Sequence, residues 1–257
     1  MKFTFFMKLI FACTAASCVA FSGTVAAADS NVPGYVVKAI ANPARSRGER
    51  EADAERLPAQ TIAFSGAAPG MIIAELLPFY GYFSRLLSDV VGPTGKIYGI
   101  ENFNWSNTAF DKKLTGQRRN IILKRSKWGE FELPEKIDLF WITQNYHDLH
   151  VPEYGKVDIA AFNRRVWDAL KPGGIYMIVD QAGNPGMTDQ QISDLHRIGK
   201  EEVIAEVTAA GFVLIDESKA LYHPRDDHTK SVFNPLIRGQ TDQFMLKFQK
   251  PAEAGGG

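Results

Sequence analysis

The stretch AELLPFYGYFSRLL, Ala74–Leu87, decides the fold. The apolar run Met71–Leu77 has strand length and is bounded by Pro69-Gly70 and Pro78. Beyond it, Phe83, Leu86, Leu87, Val90 and Val91 recur at the spacing of one helical face, and Gly92-Pro93 closes that helix. A strand entering a tight turn and then a helix aims helix N-terminal N–H groups at whatever lies beyond the strand, a geometry suited to a cofactor. The turn is unusual, because Pro78, Phe79 and Tyr80 stand where such turns commonly carry glycine.

Outward from this unit the pattern recurs. Lys96–Ile100, Asn120–Lys124, Ile137–Thr143 and Ile175–Val179 read as further strands. Between the last two, Asp158 can cap a helix whose Ile159, Phe162, Val166, Ala169 and Leu170 share a face, and Pro172-Gly173-Gly174 stops it. Lys200–Ala210 is another helix, and Phe212–Glu217 and Gln243–Phe248 follow with no convincing helix between them, the latter alternating as a strand with one better-buried face. Near-continuous apolar strands alternating with helices predict an α/β fold, a doubly wound, mostly parallel sheet covered on both faces, with an antiparallel hairpin closing one edge.

The 257 residues divide further. Lys2 and Lys8, the apolar run Leu9–Phe21 and Ala26-Ala27-Ala28 make residues 1–28 a secretory signal peptide, so an exported, periplasmic protein is expected. Cys13 and Cys18 both fall in that segment, leaving no thiol for disulfides or metal in the mature chain. A lipoprotein anchored at Cys18 is disfavoured, because Ala15 replaces the leucine usual three residues earlier. Residues 29–66 read as a charged N-terminal cap ending in a short helix at Gly66, residues 67–251 as the main domain, and 252–257 as a disordered tail. Without the signal's two lysines the chain carries 27 basic against 29 acidic residues, which gives no support for nucleic-acid binding. No second apolar run is long enough to span a bilayer.

In a doubly wound sheet, ligands bind beyond the carboxyl ends of the strands. Glu75 lies near the end of the first strand, and Glu101, twenty residues after Gly81, ends the second, where a carboxylate can accept hydrogen bonds from both hydroxyls of a ribose. The Gly-x-Gly-x-x-Gly of dinucleotide sites is absent, which disfavours a nicotinamide-dependent oxidoreductase.

At this point the chain resembles the class I S-adenosylmethionine-dependent methyltransferases, and within them a group of exported bacterial proteins. The resemblance runs from about Asn42 to Pro251. It rests on AELLPFYGYFSRLL, IYGIE, IDLFWITQNYHDLH, ALKPGGIYMIVD, AAGFVLIDES and TDQFMLKFQKP in that order. It implies a Rossmann-like, seven-stranded sheet with an antiparallel closing strand. It also implies S-adenosylmethionine as cofactor, Glu75 near its methionine part, Gly81 as the last glycine of the first loop, and Glu101 on the ribose. Small residues are expected at the positions of Leu77 and Phe79. Ser126–Trp128 falls where the family has an acid beside the adenine, so only Trp128, as a stacking surface, is carried over there. Phe79 and Tyr80 either frame the methionine pocket or fill it.

The catalytic candidates are His147 and Asp180, then His196; Asn145 joins the cofactor set, and Tyr146 and Asp148 share its loop. The expected reaction is methyl transfer to a small or medium acceptor. The alternative is a non-catalytic binding protein with a closed or altered pocket on the same scaffold. No metal is expected: HDLH (147–150) and HPRDDH (223–228) have ligand-type residues at spacings that match no closed site, and they read as polar loops with Arg225, Asp227 and Arg238 in ion pairs.

Overall fold

The computed structural model describes residues 32–102, 108–155 and 157–252. The signal segment and the last five residues of the tail lie outside the described residues, and no helix within them is long and apolar enough to cross a membrane.

Four short helices open the chain: α1 (Gly34–Ile40), α2 (Arg47–Glu51), α3 (Asp53–Arg56) and α4 (Pro58–Ser65), the last ended by Gly66 at φ 78°. The sheet and its helices follow as β1 (Ile72–Leu76), α5 (Tyr82–Val91), β2 (Lys96–Asn102), α6 (Thr108–Gln117), β3 (Ile121–Ser126), β4 (Ile137–Thr143), α7 (Ile159–Ala169) and β5 (Leu170–Gly183). After these come α8 (Asp189–Leu195), the two-residue β6 (Ile198–Gly199), α9 (Lys200–Ala209), β7 (Val213–Ser218) and β8 (Gln243–Gln249).

Strand order is β3-β2-β1-β4-β5-β8-β7, with β6 on β5. The first five strands pair in parallel, and β8 runs antiparallel to both β5 and β7. This is the Rossmann-like, mostly parallel sheet with an antiparallel closing strand. The order reverses between β1 and β4, so a crevice opens at their carboxyl ends.

Two apolar layers sandwich the sheet because successive strand side chains alternate faces. Ile73, Leu139, Trp141, Met177 and Met245 meet Val36, Ile62 and the α5 residues Phe83, Leu86, Leu87 and Val90 on one side. Ala74, Leu76, Phe140, Ile142, Tyr176 and Phe248 meet Phe162, Val166, Val203 and Val207 on the other. Two expectations shift in detail. β8 is buried on both faces, since it lies between β5 and β7. The Lys171–Gly174 segment does more than end α7: Leu170 already pairs with Ile137, so β5 runs through it with a register shift. The Asp158 carboxylate caps α7, accepting from the Ala161 N–H at 2.9 Å.

The candidate active site

The turn after β1 keeps a glycine-like path without the glycines. Leu77, Phe79 and Gly81 have φ of 51°, 46° and 73°, alternating left-handed positions that are closed by the Gly81 N–H donating to the Pro78 carbonyl at 2.7 Å. An L-residue there costs about 1–2 kcal/mol. Gly81 has a second reason to be glycine, because a Cβ would lie 2.8 Å from the Leu114 side chain. Leu77 points into the core, whereas Phe79 and Tyr80 are 46% and 68% exposed. Both aromatics line the mouth of a cavity of about 500 Å³ and frame it without filling it.

That cavity sits at the β1/β4 switch point. Glu75, Pro78 and Phe83 come from the β1–α5 unit, Thr143, Gln144, Asn145, His147 and Asp148 from the end of β4 and the following turn, and Gln181 from β5. Arg56, His196 and Phe233 reach it from α3, the end of α8 and the β7–β8 connection. Its size suits a cofactor-sized ligand.

Glu75 is buried and accepts a hydrogen bond from the Ser84 hydroxyl on the first turn of α5. Burial pushes its carboxyl up to about 7, against the opposing effects of that hydrogen bond and of Arg85 and Arg56. Glu101 is buried at the end of β2, and among the described residues no hydrogen-bond donor reaches its Oε2; the Arg125 Nε is 3.8 Å away. Burial raises its carboxyl as well, with Arg125 offsetting part of the effect. A desolvated carboxylate oxygen left without a donor is costly, and such an oxygen is a position waiting for hydroxyl donors. Trp128 is buried and packs edge-on against Tyr154, which lines the cavity, so the indole reaches the site through that ring.

The opposite wall holds the ionisable cluster. His147, at the start of a 3₁₀ turn, places Nδ1 2.8 Å from the Asp180 Oδ1, and its backbone N–H donates to the Asp180 Oδ2 at 2.7 Å. Its Nε2 lies 3.2 Å from the Asp148 Oδ1 and 3.3 Å from the His196 Nδ1. The Asn145 side-chain amide donates to the other oxygen of Asp148 at 2.8 Å. Burial lowers the His147 pKa, but Asp180 and Asp148 outweigh it and hold the imidazole protonated, up to about 10. His196 goes the other way: burial and then the charge on His147 lower it. Its backbone is left-handed, φ 51°, at the end of α8, and its ring rests on Phe233 with centroids 4.7 Å apart.

His147, His196, Asn145, Glu75, Phe79 and Tyr80 thus meet at one cavity. Asp180 is fully buried and meets the cavity only by its contact with His147. Gly81 shapes the turn, and Glu101 and Trp128 are outside the residues that line the cavity. The sequence reading missed Arg56, Tyr154 and Phe233, which come from segments far from the strand ends and carry no spacing signal. The HPRDDH loop is tied down by ion pairs of Asp226 with Arg197 and Asp227 with Lys230, and the His228 Nε2 lies 3.0 Å from the Asp242 Oδ2; the expected Arg225 and Arg238 take no part in these.

No family model matches the chain, and no curated protein matches its sequence. Solved structures do match in fold. A SAM-dependent methyltransferase from Aquifex aeolicus aligns with 77% of this chain and 89% of its own, at 18% identity and TM-score 0.55. The N-methyltransferase NodS from Bradyrhizobium japonicum WM9 covers 80% and 98%, at 12% and 0.51. The [4+2]-cyclase SpnF covers 77% and 81%, at 16% and 0.53. At such identities the likeness establishes the fold, and a cyclase among the neighbours shows that the fold carries more than one chemistry.

Proposed function

We propose that the chain is an exported, S-adenosylmethionine-dependent methyltransferase acting on a small or medium acceptor. The observation that carries this reading is the buried Glu101 Oε2 at the end of β2, without a hydrogen-bond donor among the described residues, one strand from a left-handed first loop and an open cavity. These residues fit the cofactor. Glu101 would accept from its ribose hydroxyls, the N-terminus of α5 and the Leu77–Gly81 turn would face its amino-acid part, and Glu75 would lie near the sulfonium. Phe79 and Tyr80 would form the wall of its methionine pocket. Bound there, the cofactor supplies an activated methyl group, so the protein's contribution is to hold a nucleophile in line with it.

The acceptor is assigned to the wall formed by Asn145, His147 and His196. Protonated between two carboxylates, His147 holds its proton. In the free protein, accepting one from the acceptor falls to the neutral His196 imidazole. Asp180 fixes the orientation of His147. The open cavity favours this reading over a scaffold whose aromatic turn has closed the pocket.

Calorimetric titration of residues 29–257 with S-adenosylmethionine and S-adenosylhomocysteine tests it. Micromolar binding is expected, weakened about 10- to 100-fold in Glu101→Ala, the worth of hydrogen bonds to a charged acceptor. No binding of either ligand at millimolar concentration would sink the proposal. Export is tested separately, by the N-terminal sequence of the protein recovered outside the cytoplasm, which should begin at Asp29.

A further inference from the structure

Three potential ligand atoms converge on the acceptor wall from two separate connections. His147 Nε2 and Asp148 Oδ1 come from the turn after β4, and His196 Nδ1 from the end of α8. Their separations are 3.2, 3.3 and 3.9 Å. A tetrahedral ion bonded at about 2.0–2.1 Å puts its ligand atoms about 3.3–3.4 Å apart. The triangle therefore has the dimensions of three corners of such a site, one edge slightly long.

The surroundings are those of a supported ligand set. A metal-binding imidazole commonly donates its other N–H to a carboxylate, which fixes tautomer and ring orientation. His147 does so to Asp180, which is fully buried and also accepts from the backbone N–H groups of His147 and Gln181. The Asn145 amide holds the second oxygen of Asp148 and leaves Oδ1 turned toward the two rings. His196 is kept in place by a left-handed backbone that is unfavourable for histidine and by the Phe233 ring. Binding the ion displaces the proton from His147 Nε2, after which the Asp148 and Asp180 carboxylates beside two neutral imidazoles balance its divalent charge.

We propose that His147, Asp148 and His196 bind a divalent transition metal, zinc by ligand type and size, with the fourth position open to the cavity. Nitrogen and carboxylate donors with an open corner are the composition of sites that hold a water or substrate oxygen on the ion. The ligand class assigned to that corner is thus an oxygen donor, either water or a hydroxyl of the bound acceptor. The proposal rests on the triangle and its supports and needs no bound S-adenosylmethionine; with the ion in place His196 is a ligand, and its proton-accepting role belongs to the metal-free protein. HDLH gave no sign of it because the third ligand lies 46 residues beyond His150 and is delivered by α8.

The experiment is zinc titration of residues 29–257 after dialysis against chelator, without S-adenosylmethionine, alongside cobalt titration followed by visible absorption. One ion per chain and the intense bands of tetrahedral cobalt are expected. His196→Ala, at a partly exposed position whose side chain is 19% accessible, should lower affinity at least tenfold while circular dichroism stays unchanged. Asn145→Ala, which removes only the support of Asp148, should lower it about 10- to 100-fold. A second triad, His150, Glu202 and Glu206, supplies the control. Zinc affinity that survives His196→Ala, or that is lost in His150→Ala instead, would overturn the assignment, as would the absence of stoichiometric binding in the parent chain.

Discussion

Glu75 is a carboxyl group whose burial outweighs its partners, and the consequence is a stability that depends on pH. Its folded-state pKa, about 7, lies above the ordinary value of 4.5, so the folded chain holds a proton that the unfolded chain has released between those pH values. Stability from this group is then fully present below about pH 4.5 and declines as pH rises through 7. The size is on the order of 3 kcal/mol. Glu75→Gln, which keeps the shape and the Ser84 contact, is expected to remove most of that decline. Urea unfolding at pH 5 and pH 8 reads it directly; an unchanged difference between the two pH values in the variant would refute the assignment. At Phe79 the balance concerns the backbone. A left-handed phenylalanine costs about 1–2 kcal/mol, and glycine costs about 0.5–1 kcal/mol in chain entropy. The ring is 46% exposed but keeps contacts of its own, so in Phe79→Gly the relief of the backbone is offset by their loss, and stability should change by less than about 1 kcal/mol. A loss of more than 1 kcal/mol in a denaturation series would mean that the ring contributes packing the exposed surface hides.

Among the elements, the connection from β7 to β8 (219–242) illustrates what a linear pattern conceals. Its anchor is Arg197, fully buried beside His196. The guanidinium donates to the Ala182 and Lys230 carbonyls at 2.8 and 2.9 Å and pairs with the buried Asp226 at 2.8 Å. Through that anchor the connection brings Phe233 onto the His196 ring. Removing one partner of a buried ion pair typically costs about 3–5 kcal/mol, because the other charge is left in the interior. Arg197→Met is therefore expected to lower stability by that amount and to weaken ligand binding in the cavity, while Arg225→Met on the same connection should change stability by less than about 0.5 kcal/mol. Chemical denaturation of the two variants side by side checks the contrast. The strands and helices were legible because each repeats one local rule many times: Ile137–Thr143 is apolar at every position but Asp138 and the closing Thr143, and α5 buries its residues at the 3.6 spacing. The strand ends were legible too, since Glu75 and Glu101 follow from where strands stop. Arg56, Tyr154 and Phe233 were not, because their approach to the cavity depends on long-range anchors such as Arg197–Asp226 that no window of sequence contains. β8 was misjudged in one respect for the same reason: its alternation is weak because it is a central strand, and its place between β5 and β7 is a property of the sheet.

For the molecule as a whole, the N-terminal helices α1–α4 are where a boundary drawn from composition and a boundary drawn from packing part company. The charged segment from Asn42 to Arg56 reads as part of a cap, residues 29–66, outside a main domain that starts at residue 67. In three dimensions Val36 and Ile62 are fully buried against Phe83, Leu87 and Trp141 on the sheet. Arg45 and Asp53 form a partly buried pair, Asp53 accepts from the Tyr82 hydroxyl at 2.6 Å, and the Glu49 carboxylate meets the Arg85 Nε at 2.6 Å. Arg56 from the same segment lines the cavity and lies over the Tyr82 ring. Each fully buried aliphatic side chain contributes about 1.5–3 kcal/mol, and a domain of this kind has about 5–15 kcal/mol in all. Residues 67–257 expressed alone should therefore lose half or more of that stability and expose the apolar face of α5. The expected result is a melting temperature at least 10 °C below that of residues 29–257, or aggregation, together with binding of a hydrophobic dye. A truncated chain that melts within a few degrees of the longer one would show that the helices are an accessory, and would leave Arg56 as their one contribution to the site.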